Sequence, residues 1–109
     1  MASYNHVVLM GNLTRDPELK YTNAGEPVAK VAMAINSKWT GKDQQVHEEV
    51  TFVDVDSWGK TAENVSRFLM KGSPVLVEGR MKQDRWENAK GEKQQRMKVT
   101  ASSVEFLPR

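Results

Sequence analysis

Residues 48–81 decide the fold, and they read EEVTFVDVDSWGKTAENVSRFLMKGSPVLVEGRM. Apolar and polar residues alternate from 48 to 58, which predicts a strand with two different faces. Apolar residues at helical spacing from Thr61 to Met70 predict a short helix, which a cationic last turn and the glycine of Lys71-Gly72 end. Ser73-Pro74 restarts the chain as a strand. The stretch therefore predicts strand, helix, strand.

The apolar residues of this stretch predict much of the core. Val53 and Val55 face inward from the first strand, opposite a face that carries Phe52, Asp54, Asp56 and Trp58. The helix and the second strand supply further inward residues, which are Ala62, Val65, Phe68, Leu69, Val75, Val77 and Met81.

Working outward, two strands are predicted before this stretch, over 4–13 and 28–36, and one after it, over 94–106. A loop joins the first two strands, a polar loop over 37–47 has Gly41 at its tip, and 88–91 forms a turn. Three strands, a helix and two strands is the order of an all-β, five-stranded oligonucleotide-binding (OB) barrel with one short α-helix between strands three and four.

The composition fits one domain covering residues 1–109. With 39% hydrophobic and 28% charged residues the chain can bury a core, and the absence of cysteine excludes disulfides and thiolate chemistry. No signal peptide and no membrane span is apparent, so no membrane association is predicted.

The sequence offers little basis for catalysis. His6 and His47 lack metal-ligand spacing, and the glycine-rich motifs of nucleotide and acyl-transfer sites are absent. Asp54 and Asp56 could hold a divalent metal, as in a metal-dependent nuclease, or could form a solvated stripe. We therefore predict a protein that is not an enzyme, with no cofactor and no metal.

Charge and aromatic residues point to a polyanion. Residues 80–98 carry seven basic and three acidic side chains, whereas the net charge of the whole chain is only +2. Trp39 and Trp86 are predicted in or beside hairpin loops near lysine and arginine, which would suit base stacking. Alternatively Trp58 caps the barrel, Phe52 belongs to a subunit interface, and the loop tryptophans are incidental; the pattern leaves both interpretations open.

The first strand is apolar on both faces. Val7, Leu9 and Leu13 alternate onto one face, and the opposite face carries Tyr4, His6, Val8 and Met10. Such a strand is expected to be covered on both sides, by its own core and by a second subunit or another element.

Three collinear blocks, over 5–18, 52–63 and 71–80, resemble the bacterial-type single-stranded DNA-binding protein family. They include GNL-x-x-DPE from Gly11 and KGS-x-V-x-x-EG from Lys71. The resemblance implies a homotetramer of OB barrels that binds and coats single-stranded DNA without sequence preference during replication, recombination and repair. It also implies a cytoplasmic, bacterial and nucleoid-associated protein.

The resemblance assigns roles to particular residues. Base stacking falls to Trp39, Phe52, Trp58 and Trp86. Phosphate contacts are expected from Lys60, Lys82, Arg85, Lys71, Arg80 and Arg96. The oligomer interface is expected from Tyr4, His6, Val8 and Met10.

Family members usually continue into a flexible linker with an acidic tip that recruits replication and repair enzymes. This sequence stops at Phe106-Leu107-Pro108-Arg109, so recruitment of such proteins is not expected from it. Two variants of the binding interpretation stay open, an oligomeric adaptor that binds a protein through the same rings and a binder of RNA, since a stacking surface discriminates poorly against a 2′-hydroxyl.

Overall fold

The structure is a computed structural model that describes residues 1–108. Over those residues the chain forms six strands and one helix. In chain order they are β1 (Val7–Leu13), β2 (Glu18–Tyr21), β3 (Pro27–Thr40), β4 (Val46–Trp58), α1 (Gly59–Phe68), β5 (Pro74–Glu87) and β6 (Lys93–Phe106).

Five of the strands close into a barrel in the order β1-β5-β6-β4-β3, and β3 returns to pair with β1. The helix α1 lies between β4 and β5, which correspond to the predicted third and fourth strands, so the predicted OB barrel is confirmed. The short β2 was not predicted. It forms a hairpin with β3 inside the expected loop, where Leu19 packs against the core.

The core is the inward face of the barrel strands, with one end covered by the helix. Val55, Val75 and Val77 are buried as predicted, and Val53 is half-buried against the same cluster. From the helix, Ala62 and Val65 are fully buried. The other buried apolar residues are Leu13, Val28, Ala29, Val31, Met33, Leu69 and Val99.

Two predicted core residues are exposed instead. The helix ends at Phe68, and extended Leu69 donates its N–H to the Val65 carbonyl, which carries Leu69 inward and leaves Phe68 outside. Met81 is exposed because β5 leaves the barrel after Gly79, where its pairing with β1 ends and an irregularity interrupts its pairing with β6.

The β3–β4 hairpin extends further than predicted. The polar loop expected over 37–47 is mostly strand, and only 41–45 forms the turn. The predicted turn at 88–91 is confirmed, with the Asn88 side chain accepting from two backbone N–H groups and Gly91 at a φ of 81°. Strand pairing along both long hairpins gives their backbone N–H and C=O groups hydrogen-bond partners that a loop would have lacked.

The barrel closes through a short parallel pairing of β4 with β6. It comprises two residue pairs, Val55 with Val99 and Asp56 with Thr100. The neighbouring β5 must approach β6 closely here, since a Cβ added at Gly79 would lie 2.1 Å from the Thr100 carbonyl oxygen. A backbone clash of this kind cannot be relieved by a side-chain movement, so closure requires glycine at this position.

Replacing Gly79 by Ala is expected to lower the free energy of unfolding by about 3 kcal/mol, because the new methyl group forces the backbone strands apart. Gly25→Ala is the control. Its Cβ meets nothing within 4 Å at a φ of 85°, so it should cost only about 1 kcal/mol. Urea unfolding measures both, and equal losses would contradict the clash.

Candidate nucleic-acid interface

Phe52 and Trp58 lie on the outer face of β4, as predicted. The β3–β4 register sets Phe52 opposite Ala34 and Trp58 opposite Val28. Because alanine is too small to cover the phenyl ring, Phe52 remains 74% exposed, and Trp58 remains 39% exposed. Asp54 lies between the two rings on the same face, opposite Ala32 of β3.

Trp86 reaches the same face from a different strand. It lies on β5, opposite Gln94 of β6, beside the hairpin turn as predicted. The indole is 47% exposed and lines a cleft of about 230 Å³ with Asp54, Asp84 and Lys98. The fold therefore brings Trp86 to the β4 surface that carries Phe52 and Trp58.

Trp39 lies on the opposite face of the β3–β4 ribbon. Its partner across the register is His47 of β4. Side chains alternate along a strand, so His47, at an odd position, points away from the face that carries Phe52 and Trp58 at even positions. The two rings stack with centroids 5.5 Å apart and an interplanar angle of 23°. His47 Nε2 lies 3.2 Å from Asp43 Oδ1. The Gln45 backbone N–H and then His47 lower the pKa of Asp43, so the turn holds an ionised carboxylate beside the imidazole.

The acids of β4 are paired with cations of β6. Arg96 Nη2 lies 2.6 Å from Asp54 Oδ2. Lys98 Nζ bonds both Asp56 Oδ2 and Asp84 Oδ2, the latter at 2.8 Å. The paired carboxylates therefore do not form a free acidic stripe between the exposed rings.

Burial separates the two ion pairs. The Lys98 and Asp56 side chains are only 15% and 8% exposed, whereas those of Arg96 and Asp54 are 59% and 42% exposed. Burial alone would lower the pKa of Lys98, but the hydrogen bonds that it donates to Asp56 and Asp84 outweigh burial and raise that pKa. The Lys98 hydrogen bond likewise lowers the pKa of Asp84. Lys98 and Asp84 are therefore both ionised across the neutral range.

The cations expected to contact phosphate are scattered. Lys60, Arg80 and Lys82 are exposed, and Lys82 is on the Trp86 side of β5. Arg85 points to the other face, where Nε and Nη2 bond Gln83 Oε1 at 3.1 and 2.7 Å. Lys71 is exposed in the turn after the helix, and its backbone N–H bonds Asp16.

Arg96 differs from the other predicted phosphate contacts because it is already bonded to Asp54. Three further cations of the cleft, Arg15, Lys30 and Lys98, were missed by the sequence reasoning. The sequence does show two acids two residues apart, Asp54 and Asp56, and two cations with the same spacing, Arg96 and Lys98. Their pairing depends on strands distant in the chain becoming parallel neighbours.

The sequence predicted cover on both sides of the first strand, but within residues 1–108 no element covers the outer side of β1. The strand begins at Val7 and not at residue 4 as predicted, so Tyr4 and His6 precede it. Tyr4, Val8 and Met10 are exposed, and His6 Nε2 lies 3.7 Å from Glu78 Oε2. One edge of β1 pairs with β5, and the other edge pairs with β3 only at Asn12 and Leu13. Over the described chain, the backbone groups along residues 7–11 therefore have an open edge.

Within residues 1–108 no group of three or more His, Cys, Asp or Glu side chains could hold a metal ion. Asp54 and Asp56, the acids considered for a nuclease, each bond a cation instead. A search of the same residues for a helix long and apolar enough to cross a membrane finds none.

Comparison with known proteins gives consistent matches. The sequence model described as the single-strand binding protein family matches residues 4–107. A single-stranded DNA-binding protein from Treponema pallidum is 45% identical over 98% of this chain and 60% of its own length. One from Wolinella succinogenes is 43% identical over 95% of this chain and 64% of its own length. The chain thus spans about three fifths of these relatives.

Solved structures show the same fold. A single-stranded DNA-binding protein from Plasmodium falciparum in complex with DNA superposes with a TM-score of 0.89 at 21% identity, over 99% of this chain and 98% of that one. A deletion mutant of the protein from Thermus aquaticus gives a TM-score of 0.86 at 31% identity, over 96% of this chain and 51% of that one.

Replacing Asp84 by Asn is expected to cost below about 1 kcal/mol of stability near pH 7, because the carboxylate is 40% exposed and solvent screens its pairing with Lys98. A lowered folded pKa stabilises the protein above the ordinary pKa of the carboxyl, and that stabilisation is lost as pH falls through the folded value.

The difference between Asp84→Asn and the starting protein should therefore shrink between about pH 7 and about pH 2. Urea unfolding at both pH values measures it. The exposed strand carboxylate Glu49, changed to Gln, is the control and should show a smaller difference at either pH. A difference for Asp84→Asn that persists undiminished in acid would contradict the ion-pair explanation.

Proposed function

Because this chain belongs to the single-strand binding protein family, we propose that it binds and coats single-stranded DNA without sequence specificity. The observation that carries the proposal is the gathering of three exposed rings, Phe52, Trp58 and Trp86, from two strands onto one face. Solvent-exposed rings of this size are costly for a protein unless a ligand covers them. Every base has a π-face, so such a surface binds bases of any sequence.

Stacking supplies the preference for single strands. Each base stacked on an aromatic ring contributes about 1–3 kcal/mol, and a base inside a duplex has no free face to offer. The rings of β4 and Trp86 receive bases on one face of the barrel. Trp39 offers a further ring on the other side of the β3–β4 ribbon, and a strand that wraps from one face to the other reaches both.

Phosphate contacts supply the electrostatic part of binding. Lys60 follows Trp58 by two residues, and Lys82 lies on the Trp86 side of β5. The cations between the rings already pair with carboxylates, so we propose that bases face this surface while phosphates turn to the exposed lysines around it. Arg96 contributes only where a phosphate displaces Asp54. Counterion release makes this binding weaken as salt rises.

Coating follows from binding without catalysis. A ligand that binds the open strand and not the duplex shifts the melting equilibrium by mass action. The protein would thereby protect single strands and melt hairpins during replication, recombination and repair. We place this work at the nucleoid in the bacterial cytoplasm, in line with the bacterial relatives.

We also propose that the chain assembles as a homotetramer through β1. The open edge over 7–11 offers backbone groups for pairing, and exposed Val8 and Met10 offer apolar area on the adjoining face. Tyr4 and His6 extend the same side toward the N-terminus. Several barrels in one assembly would let a single DNA strand run over successive ring surfaces.

Intrinsic tryptophan fluorescence tests the binding proposal. Titration with oligo-dT should quench it strongly, titration with a duplex of equal length should not, and rising salt should weaken the quenching. Trp86→Ala and Trp39→Ala should each weaken binding by about 1–3 kcal/mol with the fold intact. Tyr21→Ala, which removes an exposed ring on β2, is the control and should leave affinity unchanged.

An absence of both binding and quenching would refute the DNA proposal and favour an adaptor that binds a protein through the same rings. Unchanged affinity in both tryptophan variants would refute the stacking assignment alone. Equal affinity for oligo-U would extend the ligand to RNA.

Met10→Asp is expected to break the homotetramer into smaller species, because a charge buried in a subunit contact has no partner. Sedimentation velocity measures the assembly. Met70→Asp is the matched control, since Met70 is 54% exposed where Met10 is 59% exposed, but it lies in the turn after the helix and outside the predicted interface residues. An unchanged assembly in Met10→Asp would contradict the β1 interface.

A further inference from the structure

The outer part of the β5–β6 hairpin has little backbone attachment to the barrel. We call residues 80–98 the arm. Over the described chain, β5 pairs with β1 only up to Gly79, and β6 pairs with β4 only at Val99 and Thr100. Apart from the Asn5 side chain, which bonds both backbone groups of Met81, the strands of the arm hydrogen-bond to each other. Its orientation toward β4 must come mainly from side chains.

One ammonium group makes most of that connection. Lys98 Nζ, on β6, bonds Asp56 on β4 and Asp84 on β5, so a single side chain ties three strands together. The second link, Arg96 to Asp54, runs between β6 and β4 one step further along the arm. Both links continue the contact between β4 and β6 beyond the point where their backbone pairing ends.

Burial makes the Lys98 link the stronger constraint. Its side chain and that of Asp56 are largely withdrawn from water, whereas Arg96 and Asp54 are solvated. An exposed ion pair contributes little, but a buried charge that loses its partner is strongly unfavourable. Swinging the arm away from β4 therefore separates two charges whose attraction water screens little in the folded protein.

The Lys98 link lies next to the ring of Trp86. Trp86 follows Asp84 by two residues on β5, so both side chains point to the same face and line the same cleft as Lys98. We infer that Lys98 is a positioning residue for single-strand binding, whose ammonium holds the arm against β4 so that Trp86 shares a face with Phe52 and Trp58. This inference rests on the proposed function.

A double-mutant cycle tests it. Lys98→Met should weaken oligo-dT binding roughly fivefold or more when Trp86 is present, since it displaces one stacking ring. In a Trp86→Ala background the same change should cost less than about twofold, because no ring is left to misplace. An equal loss in both backgrounds would overturn the inference and make Lys98 an ordinary charge.

Two companion variants separate positioning from charge and folding. Lys98→Arg keeps the cation and should retain binding within about twofold. Lys20→Met removes one charge from an exposed pair with Glu18 on β2, and it should leave both the affinity and the arm unchanged. If Lys98→Met fails to fold, Asp84→Asn cuts only the β5 side of the link and should show the same dependence on Trp86, to a smaller degree.

Amide hydrogen exchange of the DNA-free protein tests the tether independently. Lys98→Met should speed exchange across the arm while the barrel strands keep their protection. Faster arm exchange in a protein whose starting form does not bind oligo-dT would support the tether and refute the proposed function. Unchanged exchange would refute the tether whatever the DNA titration gives.

Discussion

The parallel contact between β4 and β6 is the constraint on which the rest of the molecule depends. It closes the barrel, yet it consists of two residue pairs. Backbone geometry makes it possible, since only glycine at position 79 lets β5 and β6 approach. Buried charge then extends it, through Lys98 and its two carboxylates. The ion cluster fixes the register of β4 against β6 more strictly than apolar contacts would. A shift of one residue would leave its charges unpaired.

This seam also organises the binding face. Phe52 and Trp58 come from β4, whereas Trp86 comes from a hairpin that reaches β4 only because the seam exists. The carboxylates needed for the seam lie among the rings. The same ion pairs occupy cations at the centre of the face, so in the proposed function the centre is left to bases and the phosphates fall to the exposed lysines around it.

Two long ribbons and one open strand edge give the barrel its outward surfaces. Rings on opposite faces of the β3–β4 ribbon, with Trp39 against His47 on one side, suit a ligand that bends around the protein. The open edge of β1 suits a second copy of the chain. Both surfaces lie outside the core formed by α1 and the inward strand faces, so the binding surfaces can vary while the barrel stays intact.

The sequence by itself determined the order of the five barrel strands and the helix and most of the core, because alternation along a strand and turn chemistry are local properties. It could not give the bulge that exposes Met81, the strand character of 37–40 or the face on which Trp39 lies. Nor could it show that Asp56 and Lys98 meet. Their contact joins strands 42 residues apart in the chain, and only the closed barrel, through its parallel register, brings those charges together.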